Sequence, residues 1–192
     1  PQDEYPYGKL LAENGRRSRR DPPFSLLDTG IFGDNRYWDV EVTYAKDSPE
    51  RILIRIEVFN RGPCRESLHV LPSLWFRNTW SWGGEPSEKP QIKKGKPRTG
   101  AAWAFRAIHP DLGVCHLFGR SEADLLFTDN ESDFQGLWGV NNPGPFRKDA
   151  FHRRVVQGDP ASVNPRVTGT KTAAWHRLDV SPGAAGRIDL VL

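Results

Sequence analysis

Apolar and polar residues alternate with period two through much of this chain. Trp38, Val40, Val42 and Tyr44 share one parity, and Asp39, Glu41 and Thr43 take the other. After the turn-forming stretch Lys46-Asp47-Ser48-Pro49-Glu50, Ile52, Ile54, Ile56 and Val58 alternate with Arg51, Leu53, Arg55 and Glu57. Successive side chains of a strand point to opposite faces. The two runs therefore predict an antiparallel hairpin with one face on a core and one in water. Asn60-Arg61-Gly62-Pro63 reads as the next turn, because Gly permits positive φ and Pro ends the pairing. A strand over 67–76 has Leu68, Val70, Leu74 and Phe76 in phase, and Pro72, with no N–H to donate, marks an edge or a bulge. Further strands are predicted over 101–108, 113–118, 125–127, 172–180 and 187–192.

Helical patterns are short. Tyr7, Leu10, Leu11 and Asn14 have helical spacing, with Gly15 as a stop. Asn130 can cap a segment carrying Phe134, Leu137 and Trp138, with Asp133 where a capping carboxylate would stand, and 148–156 has room for one or two turns. Residues 83–100 hold Gly, Pro, Lys, Glu and Ser in quantity and only Ile92 as a large apolar group. That composition predicts an exposed, flexible loop. Eight or so strands with few helices predict an all-β fold: one antiparallel β-sandwich domain over 1–192 with a few short helices.

Composition narrows the field further. Seven Trp, four Tyr and ten Phe in 192 residues exclude a disordered chain. No apolar run approaches the ~18 residues of a membrane helix, and nothing near Pro1 resembles a signal peptide. The expectation is a cytoplasmic protein with no membrane partner. The formal charge of +3 comes largely from Arg16, Arg17, Arg19 and Arg20 and from Lys93, Lys94 and Lys96. No nucleic-acid-binding module accompanies them, so they read as solvated loops and no nucleic-acid partner is expected. Cys64 and Cys115 are too few for a disulfide framework or a cysteine zinc site. They read as small packed hydrophobes, with one bridge between them left open. The chain starts without Met and closes on Ile188, Leu190 and Leu192 in strand phase, which leads to the expectation of a piece of a longer polypeptide.

The densest candidate chemistry is Leu74-Trp75-Phe76-Arg77-Asn78-Thr79-Trp80-Ser81-Trp82. Flat aromatic faces stack on sugar rings, and Arg and Asn hydrogen-bond hydroxyls. A protein–protein surface uses the same residue types. Period two sends Phe76 inward and Trp75 and Arg77 to the opposite face, which favours an interface or sugar-facing role over core filling. Asp28-Thr29-Gly30 matches the aspartic-protease tripeptide, but that chemistry needs a second aspartate sharing the proton. A turn bonded to its own backbone, with tight bends at Gly30 and Gly33, explains it better. His69, His116 and His176 lie in predicted strands and read as satisfied structural residues. No metal-ligand spacing, P-loop, dinucleotide fingerprint or nucleophile elbow occurs, so no metal, no cofactor and no catalytic residue is expected. Asn130-Glu131-Ser132 fits a glycosylation acceptor, relevant only in a secretory setting.

Several blocks also carry a resemblance. Leu26-Leu27-Asp28-Thr29-Gly30-Ile31-Phe32, Arg36-Tyr37-Trp38-Asp39-Val40, Asn60-Arg61-Gly62-Pro63 and the 71–83 block, with Trp75-Phe76-Arg77-Asn78-Thr79-Trp80 at its centre, are similar to bacterial glycoside hydrolase family 63 proteins, relatives of processing α-glucosidase. Leu125-Leu126-Phe127-Thr128-Asp129-Asn130-Glu131, Lys148-Asp149-Ala150-Phe151-His152, Val163-Asn164-Pro165 and Gly169-Thr170-Lys171 extend it over nearly the whole chain. The resemblance implies a large "supersandwich" domain that packs on an (α/α)6 barrel of the same polypeptide. The barrel carries both catalytic carboxylates of an inverting enzyme. Neither falls in this chain. The chain is then expected to be the non-catalytic sandwich domain, with Trp75, Arg77, Asn78, Trp80 and Trp82 as candidates for the substrate or domain interface. The rival expectation is a free-standing carbohydrate-binding module using Trp75, Trp80 and Trp82.

Overall fold

A computed structural model describes residues 1–81 and 88–192. Three α-helices, α1 (Tyr7–Gly15), α2 (Phe134–Trp138) and α3 (Ala150–Val156), are all short. The strands are β1 (Trp38–Ser48), β2 (Arg51–Asn60), β3 (Glu66–Val70), β4 (Ser73–Trp75), β5 (Gln91–Lys94), β6 (Trp103–His109), β7 (Gly113–Gly119), β8 (Asp124–Thr128), β9 (Thr168–Gly169), β10 (Lys171–Val180) and β11 (Ala185–Val191). One sheet has the order β1-β2-β11-β7-β6-β5-β9, and a second has β3, β4 and β8 all paired with β10. The fold is all-β and sandwich-like, with antiparallel sheets, as the alternation predicts.

The chain divides into two compact units, and each boundary falls inside a strand rather than in a linker. The first consists of Pro1–Thr43, Arg55–Leu68 and Leu178–Arg187. Its centre is Asn60, which is completely buried beside Val58 and Val180. Asn60 Nδ2 donates to the carbonyls of Cys64 (2.7 Å) and Val180 (2.8 Å). Its Oδ1 accepts from Gln2 Nε2 (2.6 Å) and the Gly62 N–H (2.8 Å). The Asn60-Arg61-Gly62-Pro63 turn is thus closed by one amide using all its capacity. Asp28-Thr29-Gly30 is a turn too. Hydrogen bonds from the Ser25 hydroxyl and N–H hold the Asp28 carboxyl below its ordinary value, and Gly30 takes φ 76°. The following bend is made at positive φ by Asp34 and Asn35 rather than by Gly33.

The second unit consists of Tyr44–Ile54, His69–Arg177 and Ile188–Leu192. Here the two sheets face each other. Phe105 of β6 and Phe127 of β8 meet edge to face at 5.5 Å, and Trp103 lies 6.2 Å from His176 of β10. Burying a phenylalanine contributes roughly 2–3 kcal/mol, so this double row of rings is a large share of the local stability. β10 is the central strand of its sheet. Lys171 of β10 stands opposite Trp75 of β4 on one side and Thr128 of β8 on the other.

Four expectations are corrected. Residues 83–100 are not loop throughout: β5 spans Gln91–Lys94, pairs with β6 and β9, and buries Ile92. The predicted 67–76 strand is broken at Leu71-Pro72, where Pro72 offers only its carbonyl, to the Ala174 N–H. β1 is an outer strand, so Val40 (55% exposed) and Tyr44 (69%) do not reach a core. Both cysteines are free and exposed, Cys64 in the turn after β2 and Cys115 on the uncovered first half of β7. No helix among the described residues is long and apolar enough to cross a membrane.

Candidate functional site

The register of β10 builds the site. β4 and β8 flank β10 and both pair with its Lys171, Thr172 and Ala173, so their C-terminal ends leave the sheet at the same level, one on each side of β10. The aromatic segment follows β4, and Asp129-Asn130-Glu131 follows β8. The Phe76 N–H bonds the Thr170 carbonyl (3.0 Å), and Asn130 Nδ2 donates to the Phe76 carbonyl (2.9 Å). Thr170 is held in turn by its N–H to the Thr128 carbonyl (3.1 Å) and by its Oγ1, which accepts the Asn130 N–H (2.8 Å). Gly169 is required beside it, since a Cβ there would collide with the Thr128 carbonyl. Asn130 is therefore a bracing amide, not a displayed glycosylation acceptor.

Glu131 is the electrostatic centre. Trp80 Nε1–H donates to its Oε1 (2.9 Å). Lys89 Nζ bridges the same oxygen and Asp129 Oδ2, both at 2.9 Å, and lies 5.6 Å from the centre of the Trp80 ring. Arg147 Nη1 engages Oε2 from the other side. Arg147 is 1% exposed, the largest fully buried side chain among the described residues. Its Nε donates to the Gly144 carbonyl (2.9 Å) and its carbonyl accepts from Thr128 Oγ1 (2.7 Å).

Burial pushes the Glu131 carboxyl up. Hydrogen bonds from Lys89, Trp80 and Arg147, with the Lys89 charge, outweigh it and hold the group below its ordinary value. Burial likewise disfavours the Lys89 ammonium, but its bonds to Glu131 and Asp129 raise it above its ordinary value. Both groups are held charged. Glu131 is thus a clamp that orders the aromatic segment, not a proton donor near neutrality.

Two clefts flank the clamp. One of about 440 Å³ is lined by Asn78, Ser81, Asn130, Glu131, Phe134 and Lys148 among others. The other, about 510 Å³, includes Lys89, His109, Asp129, Asn164 and Thr170. The candidate residues are accordingly divided. Trp75 is 54% exposed and Arg77 is exposed, while Phe76 is half-buried against His109. Asn78 lines a cleft and Trp80 is anchored on Glu131. Trp82 lies outside the described residues. Of the histidines, His69 packs on Trp175 and His116 on Phe118. His176 is not satisfied at both nitrogens, because its Nε2 is buried without a partner, and burial holds its pKa below the ordinary value. Among the described residues no three His, Cys, Asp or Glu side chains gather as metal ligands.

Sequence reasoning missed Glu131, Lys89, Arg147 and Asp129. The available signal was a carboxylate just past the apolar Leu125-Leu126-Phe127 run, in a chain whose Trp80 needs an acceptor. Fold and site together define a β-sandwich that displays a clamped aromatic segment between two clefts. No family model matches the chain. It is similar to the uncharacterized protein YMR196W of Saccharomyces cerevisiae, 32% identical over 212 residues, an alignment covering 93% of this chain and 19% of the yeast protein. The chain spans about one-fifth of the length of the curated relative it matches.

Proposed function

We propose that this chain is the non-catalytic β-sandwich domain of an α-glucosidase-like, inverting glycoside hydrolase. In this reading it docks on the catalytic (α/α)6 barrel of the same polypeptide and borders the substrate pocket. The observation that carries the reading is the exposure of Trp75 and Arg77 on a segment whose next aromatic, Trp80, is locked to a half-buried, ion-paired Glu131. A solvated loop would not need such an anchor. An ordered surface that exposes an indole and a guanidinium side by side does. The family resemblance supplies the barrel and the glycoside chemistry. The similarity to about one-fifth of a longer yeast protein supports a domain within a larger polypeptide.

The test has two arms. In the longer polypeptide, Arg77→Ala should raise KM for an α-glucosidic substrate or loosen the domain contact while the sandwich keeps its thermal midpoint. The chain alone, titrated calorimetrically with α-glucosidic oligosaccharides, should bind none. Tight binding by the chain alone would instead make it a carbohydrate-binding module.

A further inference from the structure

The outward face of the seven-stranded sheet presents a second, chemically different feature. In the second unit, Leu190 of β11 and Leu117 of β7 are buried, so their neighbours Val191 and Phe118 point away from the core and stand opposite one another. Ile52 and Leu192 exchange both backbone hydrogen bonds (2.8 and 2.9 Å), which sets Leu53 of β2 beside Val191 in the same row. An apolar row of Leu53, Val191 and Phe118 therefore lies on the solvent side of the sheet. Arginines surround it. The Arg98 guanidinium lies over the Phe118 ring at 5.0 Å. Arg98 is held there by a turn in which the Ala101 N–H bonds its carbonyl (3.0 Å) and Gly100 takes φ 81°. Arg51 and Arg120 complete the walls of a cleft of about 530 Å³ that has this row as its floor.

We propose that this cleft binds a phosphate monoester, its phosphate held by Arg51, Arg98 and Arg120 and its organic part resting on Phe118, Leu53 and Val191. The proposal is independent of the glycoside-hydrolase reading. Guanidinium forks pair with phosphate oxygens two at a time, and three forks around one cleft suit the three terminal oxygens of a monoester better than the two of a carboxylate. Arg51 is paired through its Nε with Asp47 at 2.7 Å and lines the cleft. Arg98 rests on the Phe118 ring, and the register of β7 and β11 sets Arg120 opposite Asp189. The adjoining cleft shares Arg51, Arg98 and Phe118 and adds Glu50 and His116. His116 is held below its ordinary value by burial and then by the charges of Arg98 and Arg106, whose positive field acts on the cleft against the carboxylates of Glu50 and Asp189. An anion entering here meets that field over a low-dielectric floor.

The test is calorimetric titration of the chain with phenyl phosphate, inorganic phosphate, benzoate and phenol at low ionic strength. One phenyl phosphate should bind per chain, more tightly than inorganic phosphate, which lacks the ring, and more tightly than benzoate. Arg98→Ala and Arg120→Ala should each weaken it about tenfold or more, the loss of one charge-assisted contact. Arg120→Lys, which keeps the charge and loses the fork, should fall between and guards against a folding defect. Arg16→Ala, on the exposed Arg16–Glu13 pair, should change nothing. Benzoate binding as tightly as phenyl phosphate, equal losses in Arg16→Ala and Arg120→Ala, or no binding at all would overturn the proposal.

Discussion

Asn60 and Glu131 each hold a turn together, and they do it with opposite chemistry. Asn60 is a neutral amide whose four hydrogen bonds run to one side chain and three backbone groups, all in the first unit. Nothing in that arrangement is left over to act on another molecule. Glu131, in the second unit, is a carboxylate held by a lysine, an arginine and an indole, with Asp129 sharing the lysine. A network of mixed charges is more costly to desolvate and harder to saturate. It sits here between two clefts and anchors the half-buried Trp80. The contrast separates a turn that exists for the fold from one that presents a surface.

The sharpest way to break this contrast is Asn60→Ala. Four partners, two of them in buried and two in part-buried bonds, would lose their contacts, and the expected loss is about 3–4 kcal/mol in urea unfolding. A loss below about 1 kcal/mol would show that water replaces the amide, and Asn60 would no longer be a purely structural hub. Next comes Arg147→Ala, with an expected loss of about 3 kcal/mol because the fully buried arginine is removed and the half-buried Glu131 is left without its inner partner. Adding Glu131→Ala to it should restore part of that stability, and strict additivity of the two would count against a coupled pair. Trp80→Phe should cost about 1 kcal/mol through the lost indole bond to Glu131, and should quench the order of residues 76–81 seen by amide exchange.

Acid separates the two hubs without mutation. The Glu131 pKa is lower in the folded chain than its ordinary 4.5, so the unfolded chain takes up the proton first. The clamp's contribution is complete above the unfolded value and declines as pH falls through the folded one. Unfolding free energies of wild type and Glu131→Gln, measured from about pH 6 to about pH 3, should converge at the acid end. The Asn60 hub contains no titrating side chain, so Asn60→Ala should stay parallel to wild type over that range. The smallest effect is Lys89→Gln, about 0.5 kcal/mol, because Lys89 is 43% exposed and its pairs are partly screened. Its alkaline counterpart follows from the raised Lys89 pKa: that contribution is present below the ordinary 10.5 and lost as pH rises through the folded value.

The strands with long alternating runs could be read directly from sequence, and so could the helical turn ended by Gly15. The parity that exposes Trp75 and Arg77 and turns Phe76 inward was equally legible. β5 and β9 were not. β5 has one apolar residue, Ile92, between Gln91 and two lysines, and becomes a strand because β6 and β9 supply partners; local pattern carries no trace of that. The apolar parity of β1 was read correctly as a strand and wrongly as a core face, since alternation does not say whether anything packs on the strand. The Glu131 clamp joins residues from four separate stretches of the sequence; the register of β10 aligns two of them, and Lys89 and Arg147 join through ion pairs that no local pattern announces.

That register also sets a timetable. Thr172 Oγ1 bonds the Leu74 carbonyl across 98 positions of sequence. At ~5–20 residues per second, β4 waits roughly 5–20 s during synthesis before the strand that will hold it has even been made. For that interval β3, β4 and β8 have no common partner, and the tryptophans after β4 are presented to the cell unsheltered. The emerging chain is then a substrate for chaperones at the very segment that becomes its ordered surface. Substitutions that slow the docking of β10 should lower the yield of folded chain well before they lower its final stability.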